Sequence, residues 1–217
     1  AEDFETALHD MIKKTIKDHK KIIFNGNGYD DSWIKEATEK RGLLNYRTTA
    51  DAVPHLLDKK NVDMLTAHGV FTKAELESRY EITLENYCKT IIIEANTMVD
   101  MAKVQIAPAI EKYVREVAKT AAAKKALDPD LACSYETGLV RKLSVLTDRI
   151  AVKAEELESA VMALSDVDDI GEEAAAIRDT VLVKMSELRV ACDEAETLTA
   201  KSYWPFPTYG DLLFGVK

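Results

Sequence analysis

Apolar residues fall into helical spacing from the fourth position of the chain. Phe4, Ala7, Leu8, Met11, Ile12, Thr15 and Ile16 recur at steps of three and four, which predicts a helix from Asp3 to about Lys20. Lysines crowd its second half, where the negative end of the helix dipole favours them. Ile22-Ile23-Phe24 is too short for more than one strand or a buried connector, and Asn25-Gly26-Asn27-Gly28 behind it is a turn signal. No second strand of comparable quality follows, so a sheet is not supported. A short helix carrying Trp33, Ile34 and Ala37 comes next, capped by Asp30, Asp31 or Ser32 and stopped at Arg41-Gly42. Two further short pieces are predicted. One starts at Thr48 or Thr49, with Pro54 tolerated near a first turn, and the other runs from about Lys59 to His68 before Gly69.

The strongest pattern begins at Thr72-Lys73-Ala74-Glu75, a capping box in which hydroxyl and carboxylate each satisfy an orphan amide. Leu76, Tyr80, Leu84, Tyr87, Ile91, Ala95, Met98, Ala102, Ile106, Ala109, Tyr113 and Val117 then keep helical period. Carried to Leu127, this is a helix of roughly 50 residues, about 75 Å long at about 1.5 Å per residue. Pro108 is expected to kink it after Val104, whose carbonyl loses its donor and is crowded by the ring. Asp128-Pro129-Asp130 breaks the pattern. A second long helix is predicted from Tyr135 to Leu164, with Leu143, Ile150, Leu157 and Leu164 spaced by seven, and a third from Glu172 to Lys201 after an acidic turn. Long amphipathic helices joined by short turns pack antiparallel.

The fold class expected is therefore all-α: short helices at the N-terminal side, then a bundle of three long antiparallel helices and an aromatic, proline-rich C-terminal tail. The chain divides into a connecting helix (1–21), a loop with short helices (22–70), the long-helix bundle (71–202) and a docking tail (203–217). Pro205 and Pro207 forbid helix in that tail, and Trp204, Phe206, Tyr209 and Phe214 carry too much apolar surface to stand in water. These four are the candidate docking residues.

Composition narrows the function. Twenty-nine basic against 38 acidic residues give a formal charge of −9, a field that repels phosphate backbones and anionic lipid. Neither nucleic acid nor a membrane surface is an expected partner. Cys88, Cys133 and Cys192 are an odd number without metal-ligand spacing, which suits a reducing compartment. With no apolar run near the ~20 residues of a membrane span and no leader-like start, the expected location is cytoplasmic. Entry into helical pattern without an initiator methionine suggests a piece of something longer.

No chemical constellation emerges. Asn25-Gly26-Asn27-Gly28 lacks the third glycine and the Lys-Ser/Thr of a phosphate cradle, so a structural turn is preferred over a ligand loop. Glu81, Glu85, Glu94 and Asp100 share a long helix, but no histidine follows His68 to complete a carboxylate-bridged metal site, and a solvated acidic face is preferred. His9, His19, His55 and His68 stand singly. Arg79 is expected to pair with Glu75 one helical turn away. No nucleophile signature is present. Catalytic, cofactor-binding and metal-ligating residues are all assigned as none.

Several strings together, KKIIFNGNGYDDSW, KEATEKRGLLNYRTTADAVPHL, AHGVFTKAELESRYEITLENYCKTIIIEANTMVDMAKVQIAPAI and the terminal YWPFPTYGDLLF, resemble the C-terminal region of type III glutamine synthetases. The resemblance is strongest over 20–115 and 203–214, and through 136–201 it rests on helical pattern and composition. It implies a parent subunit that joins ammonia to glutamate with ATP and divalent metal (Mg or Mn), in double-ring cytoplasmic oligomers. The catalytic motifs of the family do not occur in this chain. The implied partners are the catalytic portion of the same subunit and neighbouring subunits of a homo-oligomer. The implied role is structural and oligomer-shaping, with the chain inactive alone. Two alternatives stand beside it: a regulatory module that binds a small nitrogen-status effector, and a helical interaction protein unrelated to any ligase.

Overall fold

The structure, a computed structural model, describes residues 3–215, and among these every regular element is helical. The contacts divide the chain into two units, one ending at Arg47 and one beginning at Thr48.

In the first unit, α1 (Phe4–Asp18) is capped by Asp3, whose carboxylate accepts from the Glu5 and Thr6 amides at 3.1 and 3.3 Å. A single 3₁₀ turn, Lys20–Ile22, follows. Ile22 and Ile23 are neither strand nor buried connector: both are exposed, because nothing within this unit lies over them. Phe24 instead stacks on Trp33 of α2 (Asp31–Lys35), with ring centroids 3.8 Å apart. Arg41 ties this corner together. Its guanidinium lies 4.9 Å from the Trp33 ring centre and donates to the Ile23 carbonyl at 2.7 Å and to Glu36 at 2.9 and 2.6 Å. Gly26 passes so close to Phe24 that a Cβ would stand 2.6 Å from the ring. α2 continues as a π-helical turn, Glu36–Lys40, and the chain leaves it through Gly42 at φ +63°, the left-handed C′ position expected from sequence. No described residue of this unit is buried.

The second unit holds the core. Thr48 caps α3 (Thr49–Ala52), which runs into the 3₁₀ turn Val53–Leu57 with Pro54 in its first turn, and α4 (Lys59–Ala67) ends at Gly69 with φ +62°. The Thr72–Glu75 capping box starts α5 (Lys73–Asp100). A π-helical turn, Met101–Ile106, joins α5 to α6 (Ala107–Leu127). That wide turn sits where the kink was expected. Pro108 has no N–H to give and crowds the preceding turn, and the Ala107 amide reaches five residues back to Ala102. α7 (Ser134–Met162) packs back along α6 and α5, α8 (Ile170–Ala176) lies on α5 and α3, and the π turn Ile177–Val181 and α9 (Leu182–Leu198) return along α7. No proline or glycine lies in this third π turn.

Leu143, Ile150 and Leu157 are fully buried and Leu164 nearly so, as their spacing of seven requires. Ile177, Val181, Leu188, Cys192 and Ala195 face them. Along α5 and α6 the buried stripe is wider than the sequence indicates, since Cys88, Val99, Ile110 and Val114 are also inside. The reason is that α5 packs on two sides, against α7 and against α8 with the 3₁₀ turn at Val53–Leu57. Burial pushes the Cys88 and Cys192 thiols up to about 11, so both remain protonated core groups at neutral pH.

Polar ties set the register between helices. Lys153 donates to Glu156 and Glu187 at 2.9 Å each, and Lys184 donates to the same pair at 2.7 and 3.3 Å, a closed network across α7 and α9. Its carboxylates are held below and its amines above their ordinary values by these hydrogen bonds. Lys124 and buried Glu136 pair at the α6–α7 corner. Arg178, on the π turn Ile177–Val181, binds Asp51 of α3 and Asp179 beside it.

Candidate functional site

The candidate docking residues lie on a strap that leaves α9 and returns along it. Thr199 ends the helix, and the Ala200 carbonyl accepts the Tyr203 and Trp204 amides at 2.8 and 3.3 Å, which turns the chain sharply. Pro205 and Pro207 then keep it extended. Thr208 and Asp211 form a second capping box that starts α10 (Tyr209–Phe214). Lys201 closes the strap by donating to Asp211 at 2.7 Å. That ion pair, with the Thr208 amide and hydroxyl, pulls the Asp211 carboxyl down to about 2.

The four aromatic residues separate into two pairs. Trp204 and Phe206 are half-buried, pack against the bundle core and meet edge-on with centroids 6.4 Å apart. Tyr203 adds a contact to Tyr113 of α6 at 5.2 Å. Tyr209 and Phe214 lie on α10 and are each 83% exposed. The capping box explains the difference: it begins a fresh helical turn, which carries Tyr209, Leu212, Leu213 and Phe214 out on a six-residue element that exposes them all.

Between strap and bundle is a cavity of about 550 Å³. Met98, Met101, Ile106 and Leu188 form its inner wall, and Trp204 and Phe206 its outer one. Arg189, Asp193 and Glu196, on successive turns of α9, stand at its edge. Sequence reading placed Met98 and Leu188 inward but gave no sign of the cavity. A strap folding back on α9 is a tertiary relation, and the ten-residue spacing of Lys201 and Asp211 belongs to no local pattern.

Elsewhere the candidate groups stay dispersed. In the Asn25–Gly28 segment the Asn27 side chain accepts the Tyr29 amide at 3.1 Å, an ordinary turn contact. Glu85 pairs with Lys89 at 2.7 Å on the solvent side of α5. His55 contacts Asp58 at 2.9 Å. Arg79 lies over the Phe71 ring at 4.4 Å, and after the Thr72 amide and hydroxyl its charge also helps to hold the Glu75 carboxyl below its ordinary value, so the expected interaction one turn away is joined by a ring contact. Among the described residues no group of three or more His, Cys, Asp or Glu is placed to hold a metal ion. The mostly apolar lining of the cavity under the strap is no cradle for a triphosphate. Among the described residues no helix is long and apolar enough to cross a membrane.

Residues 7–125 match the family described as the glutamine synthetase C-terminal domain. The chain belongs to that family. A glutamine synthetase of Butyrivibrio fibrisolvens is 35% identical over 216 residues, which cover 100% of this chain and 31% of that protein. A type-3 glutamine synthetase of Dictyostelium discoideum is 28% identical over 97% of this chain and 29% of its own length. A glutamine synthetase of Bacteroides fragilis is 26% identical over the same shares, 97% and 29%. The chain thus spans less than a third of the length of these curated relatives. Within this glutamine synthetase C-terminal domain the family match runs from α1 through most of α6, while the relatives also cover α7 to α10. The match removes the reading of a helical interaction protein unrelated to any ligase.

Proposed function

We propose that this domain is the structural, oligomer-shaping part of a type III glutamine synthetase, whose whole cytoplasmic subunit joins ammonia to glutamate with ATP and Mg or Mn, and that the domain alone has no turnover. The observation that carries the reading is the bare first unit. Phe4, Leu8, Met11, Ile12 and Ile16 make a helical stripe on α1 that is exposed from end to end, and Ile22, Ile23 and Leu44 are exposed as well. An amphipathic helix of this length is marginal unless its apolar face is covered. The partner proposed is the catalytic portion of the same subunit, since more than two-thirds of each relative lies outside the matched region. Exposed Tyr209, Leu212, Leu213 and Phe214 on α10 are proposed to dock on a neighbouring subunit of a double-ring homo-oligomer, while Trp204 and Phe206 dock in cis.

Two experiments test this reading. Glutamine formation by the purified chain with ATP, glutamate, ammonia and Mg should be absent, and robust turnover would overturn the inactive-domain reading. Leu8→Asp with Ile12→Asp should abolish assembly of the whole subunit while leaving the melting of the isolated chain unchanged. Normal assembly would overturn the covered-helix reading.

A further inference from the structure

The cavity under the strap lies at the edge of the bundle core and shares Tyr209 and Leu212 with the α10 face proposed to dock, yet nothing in the structural role fills it. Its volume of about 550 Å³ lies within the range of about 300–1,000 Å³ usual for small-molecule sites. It is also held open. Pro205 and Pro207 stiffen the strap, the Thr208–Asp211 capping box and the Lys201–Asp211 ion pair fix its far end, and the Ala200 turn fixes its near end. A ligand therefore meets walls already in place and loses little free energy in ordering them.

The chemistry of the walls selects the ligand. Methionine thioethers and the Trp204 and Phe206 rings are polarisable, adaptable surfaces that suit a ring or a branched apolar group. At the edge the charges do not balance. Arg189 lies 3.4 Å from Asp193 and answers its charge, while the carboxylate of exposed Glu196 has no side-chain partner among the described residues. An aromatic wall beside an unanswered carboxylate attracts a cation through ring faces and ion pairing together. The same arrangement disfavours carboxylates and phosphates, 2-oxoglutarate and nucleotides among them.

We propose that this cavity binds a small organic cation, an apolar ring or branched group carrying a protonated amine, with the apolar part between Met98, Met101 and Trp204 and the ammonium at Glu196. The site goes beyond the structural reading and does not depend on it, because every residue it needs lies between α5 and α10 of this chain.

The test is a titration of the full chain, labelled at its methionine methyl groups, followed by NMR. The probes are phenethylamine, 2-phenylethanol and phenylacetate, which share a ring and differ in charge. Phenethylamine should move the Met98 and Met101 signals saturably and leave exposed Met162 unmoved. The alcohol should bind about fivefold to tenfold more weakly and phenylacetate more weakly still. Glu196→Gln should reduce phenethylamine affinity to that of the alcohol. Unmoved Met98 and Met101 signals, equal affinity for the three probes, or an unaffected Glu196→Gln variant would each overturn the proposal. So would Met98 and Met101 shifts that follow protein concentration without any probe, since the cavity would then be filled by a second copy.

Discussion

Leu8 and Leu143 occupy equivalent places in the same kind of sequence pattern, yet Leu8 is 39% exposed and Leu143 is fully buried. Around Leu143 three long helical segments supply one another's cover, and α7 is sandwiched between α5–α6 and α9. Around Leu8 the first unit offers only a stacked corner of Phe24, Trp33 and Arg41, with no buried residue. An apolar stripe states that a helix face must be covered. It does not state by what, and the two regions differ in whether the cover belongs to the same stretch of chain.

The sharpest way to break this contrast is to remove side chains from both regions and compare the costs. Leu143→Ala should lower the stability of the chain in urea by about 2–5 kcal/mol, because the transfer term and the cavity it leaves add together. A loss below 1 kcal/mol would mean that the bundle core is looser than its burial indicates. Trp204→Ala should cost less, about 1–3 kcal/mol, since the ring is only half-buried and a fully buried one costs about 3–5. The strap offers a finer probe through pH. The Asp211 carboxyl titrates at about 2 against an ordinary value of 3.8, so its contribution to holding the strap is complete above about pH 4 and is lost as pH falls through about 2. Trp204 and Met98 signals should therefore change across that interval, and Asp211→Asn should make them insensitive to it. Smallest of all, Leu8→Ala should shift the stability of the isolated chain by no more than about 0.5 kcal/mol.

The sequence carried the parts of the fold that depend on neighbours three, four or seven residues away. The capping box at Thr72, the left-handed glycines at 42 and 69, the seven-residue ladder of α7 and the disturbance before Pro108 all belong to that class. What it did not carry depends on residues brought together from far apart. The Arg178–Asp51 pair joins positions 127 apart, and Cys88 and Ile110 are buried because α5–α6 is flanked on two sides. The candidate tail shows both cases. Its aromatic content announced a docking segment, while the separation of Trp204 and Phe206 from Tyr209 and Phe214 followed from where a second capping box restarts the helix. Ile22 and Ile23 misled because their apolar character was read as burial within this chain.

The proposed cover for the first unit is the remainder of a glutamine synthetase subunit. Amide hydrogen exchange along α1, measured in the isolated chain and in the assembled whole subunit, tests it most directly. Near-complete exchange of α1 within seconds is expected in the isolated chain, slow exchange in the assembled subunit, and equal protection of the α7 core amides in both. Equally fast exchange of α1 in both, or strong protection in the isolated chain, would contradict it.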